Sequence, residues 1–231
     1  MLINTLLSLL RGYHVDLGTV AAQVISILFV ILCILPLHEL AHAWVANKLG
    51  DPTAKLEGRL TFNPLASVDP MGALALLLFG FGWAKPVPVD SRYFRKPKRD
   101  MAITALAGPV SNLLAAFVGA VLVAVMEAFS PYNGFTNFVY NVLWYYVVVN
   151  ISLAVFNLIP MPPLDGSRIV AAFLSDRAMY TYYRYQNLFV MVMFLLLFSG
   201  ALSGPLATAQ TFFANIIFSL ARAPFQLFGL L

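Results

Sequence analysis

Charged residues are scarce in this chain of 231 residues: only 10% are Asp, Glu, Lys or Arg, whereas 61% are hydrophobic. Soluble domains usually carry about a quarter of charged residues, so the composition excludes an ordinary water-soluble domain. A helix of about 20 apolar residues crosses a bilayer. The sequence therefore predicts an all-α polytopic membrane protein with about 4–6 transmembrane helices.

Cysteine is also nearly absent, since Cys33 is the only one in the sequence. This excludes an internal disulfide and a cysteine-based zinc site. The formal net charge is only +4, and the basic residues cluster between Arg92 and Arg99. Such a cluster suits lipid headgroups better than a nucleic acid. We therefore expect contact with the lipid bilayer and no nucleic-acid partner.

Four apolar segments are predicted to span the membrane: residues 17–37, 103–126, 138–159 and 188–202. The first helix should continue to about Asn47 and end at Gly50, and Pro36 should loosen it. Residues 71–83 are too short for a straight span and are predicted to be re-entrant or tilted. Residues 1–10 are predicted to form a short interfacial or re-entrant helix, and residues 212–231 either span the membrane or lie at its surface.

The distribution of basic residues predicts the orientation of these spans. Residues 85–100 and 160–185 are rich in Lys and Arg, whereas the link at residues 131–137 has neither. The positive-inside rule places the two basic segments in the cytoplasm. The end of the first helix and the segment after the third span should therefore meet on the cytoplasmic side.

A His-Glu-x-x-His motif, His38 to His42, directly follows the first apolar run. One helical turn separates the two histidines, so both imidazoles leave the same face and can bind one zinc ion. Glu39 lies beside them and can activate a bound water. This pattern is typical of metalloproteases, although it also occurs by chance on helices.

A catalytic zinc needs a third protein ligand, and the short acidic inventory of the chain limits the candidates. Glu57 follows the motif at a suitable distance, but its surroundings do not predict a helix. Glu127 and His14 are predicted to lie on the opposite side of the membrane. Asp165 follows the third span in a proline-rich segment that cannot be a regular helix and can aim a carboxylate at the site.

The early His-Glu-x-x-His and the late Asn-x-x-Pro-x-Pro-Pro-Leu-Asp-Gly, residues 157–166, together resemble the site-2 protease family of intramembrane zinc metalloproteases. Residues 58–65, 82–89 and 108–112 are similar to segments of its compact prokaryotic branch, and the chain leaves no room for a PDZ domain. The resemblance implies one zinc ion per chain held by His38, His42 and Asp165, with Glu39 as general base. It also implies a transmembrane or membrane-anchored protein substrate.

On this interpretation, residues 1–231 form a single membrane-embedded metalloprotease domain, with a core at 17–166 and C-terminal helices at 186–231. We expect a multi-pass protein of a prokaryotic inner membrane whose active site lies nearer the cytoplasmic side. The sequence leaves the substrate, the regulator and a homo-oligomeric state open.

Two asparagines and one extended segment are further candidates. In the family, an asparagine at Asn112 is expected to steady the scissile carbonyl or its oxyanion, but an interhelical hydrogen bond is an equal alternative. Asn157 is expected to support the Asp165 segment or the metal site. Alternating prolines in residues 83–89 suit an exposed edge strand that could pair with an extended substrate.

Two other functions remain open at the level of sequence. Histidine and carboxylate pairs inside spans also line the pathways of metal or ion transporters. A family member without catalytic activity could act as a scaffold. The intact motif favours regulated intramembrane proteolysis over both.

Overall fold

The computed structural model describes residues 7–8, 10–14, 16–79 and 82–230, which form helices joined by loops. The predicted all-α class is confirmed. Within these residues no β-strand is present, and only an isolated antiparallel bridge joins Val68 to Ala84. The prediction for residues 1–10 falls mostly outside the described part of the chain.

The first membrane-crossing helix extends from Leu17 to Leu49 in three parts. These are α1 (Leu17–Phe29), a π-helical turn (Val30–Ile34) and α2 (Leu35–Leu49), which carries the His-Glu-x-x-His motif. The π-helical turn comes just before Pro36, whose missing N–H group interrupts the regular hydrogen-bond ladder. The predicted loosening of the helix is therefore present.

The segment between the first and second spans contains only short helices. They are α3 (Thr53–Leu56), α4 (Pro64–Ser67), α5 (Pro70–Phe79) and a single 3₁₀ turn (Ser91–Tyr93). The ten residues of α5 are too few to cross a bilayer. The predicted edge strand at residues 83–89 is an extended segment that contacts α4 through the Val68–Ala84 bridge.

Two long helices follow, α6 (Pro97–Phe129) and α7 (Gly134–Asn157), and both are long and apolar enough to cross a membrane. They contain or closely overlap the second and third predicted spans. At the start of α7, the Asn133 side chain accepts hydrogen bonds from Phe135 N and Thr136 N, which fixes where the helix begins.

The C-terminal part consists of α8 (Asp165–Ala171), α9 (Asp176–Arg184), α10 (Gln186–Phe198) and α11 (Ser203–Leu227). The last two helices meet at a bend of 85°, and only together are they long and apolar enough to cross a membrane. The described residues therefore contain three helices that are long and apolar enough to cross a membrane, or four if this bent pair forms one span. Four is the lower end of the number that the sequence predicts.

Helix α6 lies at the centre of the packing. Its small residues Ala116 and Ala120 are fully buried against Val147 and Ile151 of α7. Ile217 of α11 belongs to the same cluster. Small residues allow helix backbones to approach closely inside a membrane, where packing rather than the hydrophobic effect drives association. Helix α6 is thereby held in a fixed position beside the motif-bearing helix.

One ion pair joins the last helix to the end of α6. Arg222 donates from Nε to Glu127 Oε2 at 2.8 Å and from Nη2 to Glu127 Oε1 at 2.7 Å. The guanidinium also lies 5.2 Å from the centre of the Phe218 ring. Such a bidentate pair fixes both the position and the register of a helix. It links the C-terminal end of α11 to the C-terminal end of α6.

This contact predicts a measurable coupling between the two residues. Glu127→Gln and Arg222→Gln should each lower the free energy of unfolding, because each leaves a half-buried charge without its partner. In the double variant the loss should be smaller than the sum of the two, with a coupling of about 1–2 kcal/mol. Unfolding by SDS in mixed micelles measures all three variants. Strictly additive losses would show that Glu127 and Arg222 do not stabilise the fold as a pair.

Candidate metal centre

His38, His42 and Asp165 meet at one point although 123 to 127 residues separate the histidines from the aspartate in sequence. The two Nε2 atoms are 3.1 Å apart. Asp165 Oδ2 lies 3.3 Å from His38 Nε2 and 3.2 Å from His42 Nε2. Among the described residues, this is the only group of three such side chains close enough to share an ion.

The other nitrogen of each imidazole is held by helix α6. His42 Nδ1 lies 2.7 Å from the backbone carbonyl oxygen of Thr104, and His38 Nδ1 lies 3.0 Å from Asn112 Oδ1. Both partners are oxygen acceptors, so each ring donates its proton at Nδ1. A neutral imidazole that donates at Nδ1 keeps a lone pair at Nε2, which is the form that binds a metal.

Three lone pairs therefore converge without a proton among them. Asp165 Oδ2 is buried and has no hydrogen-bond donor. Such an arrangement of acceptors is repulsive unless a cation lies between them. Ligand atoms about 2.0–2.1 Å from a tetrahedral zinc ion are about 3.3 Å apart, close to the separations seen here. The donor set and its spacing thus fit zinc, with the fourth position left for water.

Helix α6 approaches the two histidines closely because it has no side chain at Gly108. A Cβ added there would lie about 2.5 Å from His38 Nε2 and Cε1, and closer still to His42 Nε2. Thr104, Gly108 and Asn112 are four residues apart and share one face of α6. On this face, Thr104 offers its carbonyl to His42, Gly108 leaves space for both rings, and Asn112 offers its side-chain amide to His38.

The proline-rich segment delivers Asp165 as the first residue of α8. Gly166 packs so closely against the end of α7 that an added Cβ would collide with the carbonyl oxygens of Leu158 and Ile159. The Asp165 carboxylate binds a metal ion in its ionised form.

Glu39 is buried, with 8% of its surface exposed, and its Oε2 accepts a hydrogen bond of 3.0 Å from Val87 N. The extended segment thus fixes the position of the Glu39 carboxylate. Lys85 N, in the same segment, donates a hydrogen bond to Ser67 O. A substrate strand could not pair with these two N–H groups. Unlike a free sheet edge, the expected edge strand therefore has no unpaired N–H group at these two positions.

Around these side chains lies a cavity of about 250 Å³. His38, Glu39, His42 and Asp165 all line it. The remaining lining residues come from α2, the extended segment, α7, the proline-rich segment and α8, and are Leu35, Gly82, Trp83, Ala84, Pro86, Val87, Leu153, Asn157, Pro163, Leu164 and Arg168. The cavity therefore brings the ligand atoms and Glu39 to one reaction space.

Asn112 and Asn157 occupy different positions. Asn112 is fully buried, holds His38 and does not line the cavity. Its catalytic role stays a prediction, and its contact in this structure is with the far nitrogen of the ring. Asn157 lines the cavity and donates to the Leu153 carbonyl of its own helix.

The remaining acidic candidates lie elsewhere: Glu57 is exposed at the end of α3, and Glu127 is paired with Arg222. His14 is also exposed. Sequence reasoning missed the Thr104 carbonyl, the Val87 N–H group and Asp51, which is fully buried and accepts from Asp90 N at 2.8 Å. Backbone groups carry no side-chain signal, so the sequence could not have indicated the first two.

Comparisons with known proteins give a consistent result. The family model described as Peptidase family M50 matches residues 26–200. YwhC of Bacillus subtilis is 46% identical over 136 residues, which are 58% of this chain and 62% of that protein. Rip2 of Mycobacterium tuberculosis is 30% identical over 188 residues, covering 76% and 68%.

A third relative comes from an archaeon. Zinc metalloprotease MJ0392 of Methanocaldococcus jannaschii is 30% identical over 154 residues, 66% of this chain and 35% of that protein. The names of all three relatives contain the term zinc metalloprotease. No solved structure was found to match the chain.

The close approach of Gly108 leads to a first prediction for the site. Gly108→Ala should lose bound zinc almost completely, because the added methyl group occupies the space next to both Nε2 atoms. Elemental analysis of the purified protein measures this. Gly204→Ala is the matched control, since a Cβ there meets no atom within 4 Å. One zinc ion per chain in Gly108→Ala would contradict the proposed position of the metal.

The hydrogen bond between Asn112 and His38 leads to a second prediction. Asn112→Ala should weaken zinc binding by about 10–100-fold, as is usual when a partner of a ligating histidine is removed. Asn112→Asp keeps an acceptor for His38 Nδ1 and should retain most of the affinity. Competition with a zinc chelator measures both variants. Equal affinity in Asn112→Ala and the wild type would show that this contact does not support the metal site.

Proposed function

The chain belongs to peptidase family M50, the site-2 protease family, and from this premise we propose that it is an intramembrane zinc metalloprotease. It would hydrolyse peptide bonds in or near the transmembrane segments of membrane proteins. The observation that carries the proposal is the convergence of His38, His42 and Asp165 beside Glu39 in one cavity. The match covers 62% of the length of YwhC, so the activity of the whole protein belongs to the proposal.

The residues have distinct roles in this proposal. His38, His42 and Asp165 hold one zinc ion per chain, which when bound supplies Lewis-acid chemistry and lowers the pKa of water to about 7. Glu39 takes a proton from the attacking water at its carboxylate and returns it to the leaving amide nitrogen. Val87 N–H keeps Glu39 turned into the cavity. Thr104 and Asn112 keep both imidazoles in the metal-binding tautomer.

The apolar helices indicate a multi-pass integral membrane protein. We further propose that residues 85–100 and 160–185 face the cytoplasm of a prokaryotic inner membrane, because both segments are basic. The ends of α2 and α7 then lie on the cytoplasmic side, together with the metal site. A membrane-anchored substrate would reach it from the bilayer, and residues 1–231 would act as one proteolytic domain.

Variants of the general base, Glu39, and of the third zinc ligand, Asp165, should give different results. Glu39→Gln should lower cleavage by about 10²–10⁴-fold, the usual contribution of a general acid–base group, and keep its zinc. Asp165→Ala should lose both zinc and cleavage. Proteoliposomes with a transmembrane substrate, combined with elemental analysis, measure both quantities. Glu57→Gln, at an exposed site, is the matched control and should behave as wild type.

The same experiment tests the rival interpretations. A metal transporter predicts metal uptake into proteoliposomes and no dependence of a hydrolytic reaction on Glu39. An inactive scaffold predicts bound zinc without turnover in the wild type. Normal cleavage by Glu39→Gln would overturn the proposed mechanism.

A further inference from the structure

Arg168 lines the catalytic cavity and has no role in the mechanism described so far. It lies in α8 three residues after Asp165, so the two side chains leave the same side of that helix. Arg168 also lines a neighbouring cavity of about 320 Å³, where it meets Tyr183 of α9 and Lys98 of α6. Arg168 therefore lies at the boundary between the reaction space and this neighbouring cavity, the adjoining groove.

Arg168 is half-buried but has no carboxylate partner within the described part of the chain. The ion pairs of those residues join Arg92 to Asp90, Lys98 to Asp176, Arg99 to Asp100 and Arg222 to Glu127. Removing an unpaired charge from water costs free energy unless a counter-charge meets it. A negatively charged ligand in the cavity would provide that counter-charge.

The charges of the cavity indicate when such a ligand arises. Glu39, Asp165 and Arg168 are the lining residues with a formal charge, besides the two histidines, which are neutral when they donate at Nδ1. A divalent cation balances the two carboxylates, and Arg168 then leaves one positive charge in excess. Peptide hydrolysis moves negative charge onto the substrate. As Glu39 takes a proton from the attacking water, the charge passes from its carboxylate to the carbonyl oxygen, and the N-terminal product then carries a new carboxylate.

We propose that Arg168 is a catalytic residue that donates hydrogen bonds to this negatively charged oxygen and then to the carboxylate of the N-terminal product. The inference rests on the proposed proteolytic function. Water adds its oxygen to the carbonyl carbon as Glu39 takes one of its protons and passes it to the nitrogen, and the carbon–nitrogen bond breaks. The second proton of the water goes to the released amine, which leaves as an ammonium beside the new carboxylate. Arg168 remains protonated throughout, because a guanidinium keeps its proton in proteins.

The test compares Arg168→Gln and Arg168→Lys with the wild type in zinc-loaded proteoliposomes. Arg168→Gln should lower kcat by about 10²–10³-fold, the usual effect of removing one donor to such an oxygen, and change KM by less than about threefold. Arg168→Lys should recover part of kcat, because it keeps the charge without the planar fork. Zinc content and thermal unfolding should match the wild type.

Arg177→Gln is the matched control, since Arg177 is exposed on α9 and lines neither the catalytic cavity nor the adjoining groove. It should leave kcat unchanged. If Arg168→Gln does not fold, Arg168→Lys decides the question by its kcat at normal zinc content.

A binding measurement tests the same contact without turnover. In zinc-loaded Glu39→Gln protein, the N-terminal product peptide is offered as its carboxylate or as its amide. Adding Arg168→Gln should weaken binding of the carboxylate by about tenfold and leave the amide unchanged. The Trp83 side chain, which lines the cavity, provides a fluorescence signal.

The outcomes distinguish the two proposals. If the wild type cleaves, Glu39→Gln does not, and Arg168→Gln equals the wild type, only the role of Arg168 fails. A rise in KM at constant kcat would assign Arg168 to substrate recognition and overturn the inference. Loss of zinc in both variants would also overturn it, since Arg168 would then support the metal site. Failure of the wild type to cleave any membrane substrate would remove the proposed function itself.

Discussion

The structure depends on one electrostatic constraint: three electron-rich atoms of His38, His42 and Asp165 must be held about 3 Å apart. Without a cation they repel one another, so the surrounding fold has to hold them against that repulsion. Two of these atoms come from one turn of α2, where helical geometry alone places them together. The third must be brought from a distant segment, and most of the architecture serves this purpose.

Helix α6 packs against the motif-bearing helix and forms one side of the metal site. It offers a carbonyl at Thr104, a gap at Gly108 and an amide at Asn112, in successive turns of one face. Pro109 has no N–H group for the carbonyl four residues earlier, which loosens the ladder in this same turn. A side chain at position 108 would keep α6 from approaching α2 this closely. The packing of α7 and α11 against α6 keeps α6 in place.

The parts of the site that depend on local periodicity or on a backbone break can be predicted from the sequence. The spacing of His38 and His42 predicts a shared helical face, and the prolines before Asp165 predict an irregular segment at the membrane edge. Contacts made by backbone groups, such as Thr104 O on His42 or Val87 N on Glu39, could not be predicted in this way.

Long-range pairs were equally hidden. Nothing in the sequence links Glu127 to Arg222, which lie 95 residues apart, because their meeting depends on the 85° bend between α10 and α11. The number of spans was harder to predict than their positions for the same reason: an apolar segment has the same composition whether it crosses the bilayer or turns within it. Tertiary packing decides between these two outcomes.

The proposed hydrolysis within a membrane also requires water, and the cavity is lined by loop segments as well as by helices. His38 and His42 lie 11 and 7 residues before the end of α2, about 17 and 10 Å along the helix axis. Beside them, the non-helical backbone of residues 82–87 and 163–164 forms part of the cavity wall. Non-helical backbone is stable at membrane depth only where protein or water satisfies its polar groups. These segments continue into the loops beyond α2 and α7, which is the side that we propose to be cytoplasmic. On the proposed function, water would therefore reach the cavity along the same irregular segments that position Glu39 and Asp165.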